Sequence, residues 1–189
     1  MKKDIILAGV GGQGILTIAA LIGYAALKRG WHFKQAEVHG MSQRGGDVQS
    51  HLRLSDKPIW SDLIPFGQAD MILSVEPMES LRYLPYLVSD GWIITNSTPF
   101  DNIARYPELD AIHAEIKSIK NHILIDADTI AKDVKANRSM NIVMLGAATK
   151  QLGFDSIEFE QAISTIFASK GDAIVEANLR ALKAGLEKG

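Results

Sequence analysis

The chain has 189 residues, a formal net charge of -2, 47% hydrophobic residues and no cysteine. That length sustains one substantial core, read as a single domain over residues 1–189. Near-neutral charge removes the general electrostatic case for nucleic acid. The absence of thiols excludes disulfides, thiolate zinc sites, a cysteine nucleophile and cysteine-held iron–sulfur clusters on this chain.

Residues 5–8 are an apolar run that predicts a buried parallel strand, and the glycine-rich turn after it enters a helix predicted over 15–27. Lys28, Arg29 and Gly30 close that helix with positive charge and a glycine stop. Residues 31–38 read as a second strand and 39–46 as a loop. Alternation over 48–54 predicts a strand at an edge or antiparallel to its neighbours. An irregular connection spans 58–65. A buried strand at 71–75, a helix at 78–87 and a strand at 92–95 follow, then a loop over 96–107. Residues 112–116 fit either helix or strand. A strand at 123–125 leads into a helix at 129–134, capped by Asp126 or Asp128.

The last third is helical: 140–152 stopped at Gly153, 156–167 capped by Ser156, and 172–186 capped by Asp172. The pattern predicts an α/β fold, doubly wound and Rossmann-like. A mostly parallel sheet carries helices on both faces and ends in a helical C-terminal third. The apolar N-terminal segment is broken by glycines and lacks a signal-peptide layout. No uninterrupted apolar stretch would span a bilayer. A cytoplasmic chain with no membrane partner is expected.

Gly9, Gly11 and Gly14 fit G-x-G-x-x-G directly after a predicted strand, with Gly12 and Gln13 between them. Gly9 would permit a tight turn, Gly11 would let backbone approach a phosphate, and Gly14 would let helix and strand pack closely. The second feature is Ser42-Gln43-Arg44-Gly45-Gly46. Its arginine offers a planar fork to phosphate or carboxylate, and its glycines suit close approach to a ligand or partner. In a doubly wound sheet this loop can share the carboxyl edge with the first.

Glu37 lies about 23 residues past Gly14, near the spacing of a ribose-binding acid. Its bland alternative is a solvated loop carboxylate. His39 adjoins the second motif, and Glu76 follows a strand at the same edge, where it could pair with Arg44. His32, His51, His113 and His122 show no metal-ligand spacing, so no metal is expected. Ser42 lacks a nucleophile-elbow context. Trp31, Trp60 and Trp92 read as core or interface anchors. No catalytic acid or base stands out.

These motifs in this order, with the run from Glu37 to Gly46 and the strand after it, resemble the gamma domain of 2-oxoacid:ferredoxin oxidoreductases. The indolepyruvate branch is the most similar. Asp70 to Pro77 and the segment 170–185, with Glu176 and Asn178, extend the likeness over nearly the whole chain. The resemblance implies one subunit of an enzyme that converts an aryl 2-oxoacid, coenzyme A and oxidised ferredoxin to an acyl-CoA, carbon dioxide and reduced ferredoxin. It implies thiamine diphosphate and iron–sulfur clusters on a large alpha subunit, with ferredoxin engaged through the complex and this chain inactive alone. Under it the two glycine loops either contact coenzyme A or dock on the alpha subunit. The other readings are a gamma subunit for another 2-oxoacid and a free-standing NAD- or flavin-type protein using Glu37. Isolated, the chain could pair as a homodimer through exposed apolar surface.

Overall fold

Strand β1, Lys2–Val10, is buried from Asp4 onward and forms the middle of a six-stranded sheet. The computed structural model describes residues 1–39, 45–101, 103 and 105–189, apart from the His39 side chain. The other strands are β2 (His32–His39), β3 (Asp47–Ser55), β4 (Ala69–Ser74), β5 (Leu87–Asn96) and β6 (His122–Ile125), in the order β2-β3-β1-β4-β5-β6. β4, β5 and β6 extend from β1 by parallel pairings, whereas β3 runs antiparallel to both β1 and β2. β2 therefore points the same way as β1, and the edge strands are β2 and β6. Strand β1 is thus buried and parallel to β4, while β3 is antiparallel to its neighbours, one of the two placements its alternation predicts.

Alternation along the strands divides the core. Ile5, Leu7, Leu52, Leu54, Met71 and Leu73 face one layer, and Ile6, Ala8, Ile72 and Ile93 face the other. The first layer packs under α1 (Ile15–Lys28), α4 (Ala127–Asp133), α5 (Met140–Leu152), α6 (Ser156–Ile166) and α7 (Asp172–Leu186). The second packs under α2 (Pro77–Arg82) and α3 (Leu109–Ser118). Helix α5 is buried along nearly its whole length because it lies between the sheet and α7.

Several element ends differ from the sequence expectation. The helix predicted over 78–87 stops at Arg82; a 3-10 turn, Leu84–Tyr86, follows, and β5 begins at Leu87. Pro85 accounts for the stop, since its ring lacks an N–H and clashes with the preceding helical turn. Residues 112–116 belong to helix α3, where Ile112 and Ile116 share the buried face. The cap of α6 is Asp155, not Ser156, in a reciprocal box whose return bond runs from the Asp155 N–H to Glu158 Oε2 at 2.8 Å. Gly171, at φ 92°, holds the cap position of α7, and Asp172 is its first helical residue. Asp126 does cap α4, accepting from Thr129 N at 2.9 Å, while Asp128 accepts from Asn96 Nδ2 at 2.8 Å. Trp31 and Trp92 pack against the core, but Trp60 is 92% exposed.

Candidate functional site

The carboxyl ends of β1 and β2 lie at one edge of the sheet because β3 reverses between them. The glycine turn after β1 is closed by Gln13. Its Oε1 accepts from Val10 N at 2.7 Å, its backbone N–H donates to Val10 O at 3.1 Å, and its Nε2 reaches Val75 O at 3.5 Å. Gln13 is thus a brace between the turn and the exit of β4. Gly9 is required by space: a Cβ there would lie 2.4 Å from Val75 Cγ2. Gly14 has φ 83°, and a Cβ would lie 2.5 Å from Asn141 Nδ2, which donates to Gly14 O at 3.0 Å. Gly14 therefore admits helix α5 rather than easing helix–strand packing, as the fingerprint alone suggests.

The two glycine loops are joined. Gly11 N–H donates to Gly46 O at 2.8 Å and Gly45 N–H donates to Gly11 O at 3.3 Å. The described end of the second loop, Gly45 and Gly46, thus meets the first, and one expectation is corrected. The Gly11 N–H is already used, so it is not a free donor for phosphate. The donors left at the turn are the N–H groups of Gly12, Gly14, Ile15 and Leu16, which bond to no described residue. Ser42, Gln43 and Arg44, with Gly40 and Met41, lie outside the described residues. His39 ends β2 opposite Val48, and its side chain also lies outside the description.

Glu37 is exposed and lines a cavity of about 440 Å³ with Gly11, Gly12, Gly14 and Leu16. On the other side of the turn is a cavity of about 670 Å³, between the start of α1, the segment before α5 and the start of α7. Lys135, Arg138 and Lys170 line it, with Ser139 and Asn141, and no acid does. The sequence reading did not include these residues. Their signal was the polar run Lys135-Ala136-Asn137-Arg138-Ser139 immediately before a buried helix.

Glu76 is fully buried and caps α2: Oε2 accepts from Glu79 N at 2.7 Å. Its Oε1 accepts from Phe100 N at 3.3 Å and from the Tyr106 hydroxyl. Burial pushes the carboxyl above its ordinary value, against the lowering effect of these three donors. Burial, joined by the bond to Glu76, also pushes the Tyr106 hydroxyl up. Glu76 thus fastens the segment after β5 to the sheet edge. Among the described residues no three His, Asp or Glu side chains cluster as a metal site, and no helix is long and apolar enough to cross a membrane.

Residues 4–188 match the family described as pyruvate ferredoxin/flavodoxin oxidoreductase. The chain is 38% identical over 196 residues to the indolepyruvate oxidoreductase subunit IorB of Pyrococcus horikoshii, covering 99% of this chain and 96% of that one. The gamma subunit of a keto/oxoacid ferredoxin oxidoreductase from Geobacter sulfurreducens superposes with a TM-score of 0.71 at 25% identity, covering 98% of this chain and 97% of that one. The 2-oxoglutarate:ferredoxin oxidoreductase of Magnetococcus marinus, solved with 2-oxoglutarate, coenzyme A and succinyl-CoA bound, shares the fold with a TM-score of 0.78 at 20% identity. This chain is 98% covered there but matches 30% of that longer polypeptide.

Proposed function

We propose, since this chain belongs to the pyruvate ferredoxin/flavodoxin oxidoreductase family, that it is the small subunit of an indolepyruvate-type 2-oxoacid:ferredoxin oxidoreductase. The observation that carries the reading is the 38% identity to an indolepyruvate oxidoreductase subunit over nearly the whole of both chains. The complete enzyme cleaves the bond between the carboxylate and the keto carbon of an aryl 2-oxoacid. It releases carbon dioxide, joins the remaining acyl group to the coenzyme A sulfur and passes two electrons to ferredoxin.

The residues present do not fit the redox groups of that reaction. A chain without cysteine offers no thiolates to a cluster. Iron–sulfur chemistry therefore belongs, in this reading, to a larger cytoplasmic partner subunit, which also receives ferredoxin and to which the family resemblance assigns thiamine diphosphate. What this chain supplies is a rigid edge. The loop pair joined through Gly11, Gly45 and Gly46 holds the Gly12 and Gly14 N–H groups at the start of α1, where they suit an anionic group of coenzyme A. Arg44, from the second loop, is the proposed charge partner. Away from its partner the chain is expected to self-associate through Trp60, Leu63 and Phe66, which are 92%, 57% and 67% exposed.

Co-purification with a candidate large subunit of such an enzyme tests the reading. Reduction of ferredoxin that depends on both indolepyruvate and coenzyme A, present in the reconstituted complex and absent from either chain alone, is the expected result. Faster turnover with 2-oxoglutarate or a branched-chain oxoacid would move the chain to another branch of the family. Oxidation of NADH by this chain alone would overturn the subunit reading.

A further inference from the structure

The connection from β3 to β4, residues 56–68, contains no helix or strand and exposes Trp60, Leu63 and Phe66. Long connections without secondary structure are commonly functional. Elsewhere among the described residues, large exposed apolar side chains occur singly or as one close pair, Phe100 and Ile103. The three side chains of the loop together present on the order of 450 Å² of mainly apolar surface, as large as the largest patch on a typical monomer. We propose that this loop is the face by which the chain docks on its larger subunit. Trp60, Leu63 and Phe66 enter an apolar pocket of that subunit, and a carboxylate at the pocket's rim meets the cationic cavity beside Trp60. The partner's identity rests on the subunit reading above.

The loop's backbone is fastened to the body of the protein. Arg53 Nη1, on β3, donates to Ser61 O at 3.0 Å and to Leu63 O at 3.1 Å. Ile64 N–H donates at 2.9 Å to Nδ1 of the buried His51 ring. Burial, with the charge of Arg53, lowers the proton affinity of that ring, which keeps Nδ1 able to accept. Gly67 N–H donates to Pro85 O at 2.9 Å, and the Ile64 side chain is buried in the core under α2 and α3. Phe66 rests against Tyr86, with ring centroids 4.5 Å apart. A backbone fixed in this way, with its large apolar side chains left in solvent, loses little further entropy on binding. Ser55, at the end of β3, stands opposite Lys2 at the start of β1, so the loop leaves the sheet at the end away from the glycine turn. Docking here keeps that turn open.

Charge and area decide the occupant. Trp60 lines a cavity of about 280 Å³ with Lys2, Asp4, Arg53, Pro58 and Ile59. Lys2 Nζ and Arg53 Nε each stand 2.8 Å from an oxygen of Asp4, so two cations share one buried carboxylate and the walls keep an excess of positive charge. The exposed carboxylates nearby are already paired, Asp56 with the N-terminal ammonium and Asp62 with Lys34 Nζ at 2.7 Å. Asp70 accepts from Asp4 N–H at 2.7 Å, but on the β4 side of β1, away from this cavity. Lys57, exposed on the loop, forms no ion pair with a described residue. In a two-fold dimer each patch meets its own copy, so this positive excess would face itself. A stable interface also covers about 800 Å² on each side, nearly twice what the three side chains offer. A larger subunit with an acidic rim around an apolar pocket meets both requirements.

Calorimetric titration of the full chain against a candidate large subunit of such an enzyme tests the face. Trp60→Ala should weaken association about thirtyfold or more, as the loss of a central aromatic anchor does, and Phe66→Ser should weaken it less. Lys57→Glu should slow association and reduce its sensitivity to salt. Ile157→Ser is the control, because that exposed side chain lies on α6, over the other face of the sheet, and its loss should leave the affinity unchanged. Each of these variants should melt with the wild type, since all four side chains lie outside the core, so a lost complex is not a lost fold. An affinity that Trp60→Ala leaves intact, or that Ile157→Ser lowers as much, would overturn the proposal. So would a Trp60→Ala chain that no longer self-associates yet forms the complex as before, which would assign the loop to a second copy. The two readings fail separately. A complex that reduces ferredoxin with indolepyruvate and coenzyme A but is indifferent to Trp60 removes the docking face and keeps the subunit assignment. A complex that requires Trp60 but supports no oxoacid-dependent reduction keeps the face and removes the assignment of activity.

Discussion

Gly185→Ala sets two physical effects against each other. Alanine is the better helix former by about 1 kcal/mol, so propensity alone predicts a more stable protein. Position 185, however, lies where α7 touches α5 backbone to backbone. A Cβ there would sit 2.1 Å from Val143 O and 3.0 Å from Ala147 N, and the facing Gly146 would place its own Cβ 2.3 Å from Leu182 O. Ordinary contact at such atoms begins at 3.4 Å, so the two helices must part by roughly 1 Å in a close-packed interior. A carbonyl fixed in a buried helix has no rotamer by which to yield. Overpacking of this kind typically costs about 1–3 kcal/mol, and more when backbone must move. After subtracting the propensity gain, a net loss of about 2 kcal/mol is expected, or about 4–8 °C in Tm for a chain of this size. Urea unfolding of the full chain followed by circular dichroism measures it. Gly30→Ala is the control, because Gly30 has φ 75° but nothing within 4 Å, so only the roughly 1 kcal/mol backbone term applies. A Gly185→Ala protein as stable as wild type, or more so, would refute the backbone-contact argument. The double variant with Gly146→Ala should cost less than the sum of the two, since one parting of the helices relieves both contacts.

Glu76→Gln isolates a pH effect. The folded carboxyl is held above its ordinary value of 4.5, chiefly by burial, so the folded protein binds this proton more tightly than the unfolded chain does. Its stabilising contribution is therefore complete below that ordinary value. It is lost as pH rises through the folded value, at about 1.4 kcal/mol for each tenfold difference in proton affinity. Melting wild type and variant between about pH 4 and about pH 8 should show wild type losing ground as pH rises; a flat or widening advantage would mean that the three hydrogen bonds outweigh burial. Arg29→Lys probes the join between α1 and α6. Arg29 grips both carboxylate oxygens of Glu158, donates from Nη1 to Gly153 O at 2.8 Å and lies 4.3 Å from the Phe154 ring centroid. A lysine cannot reproduce the fork and the stack together, and with both partners partly solvated the loss should be about 1 kcal/mol, read as a lower urea midpoint. An unchanged midpoint would show that charge alone suffices.

The amino-acid sequence by itself determined what depends on near neighbours. The apolar run before Gly9, the glycine spacing and the aliphatic helix after it specify the strand, turn and helix, because each is set by local pattern and backbone freedom. Helix α5 has its predicted limits, since Gly153 at φ 77° stops it, and Asp126 caps α4 through bonds to a residue three positions away. The order of the two glycine motifs also carried the family. At the start of α6 Asp155 and Ser156 both suit a cap, and Glu158, three residues after Asp155, closes the reciprocal box that selects Asp155. What crosses between distant segments only the tertiary structure decided. The insertion of β3 between β2 and β1 brings Gly46 to Gly11 and takes the N–H that the fingerprint offers to phosphate. The packing of α5 on α7 makes Gly146 and Gly185 indispensable and gathers Lys135, Arg138, Ser139 and Lys170 around one cavity. Periodicity reports which face of an element is buried, whereas packing determines what that face meets.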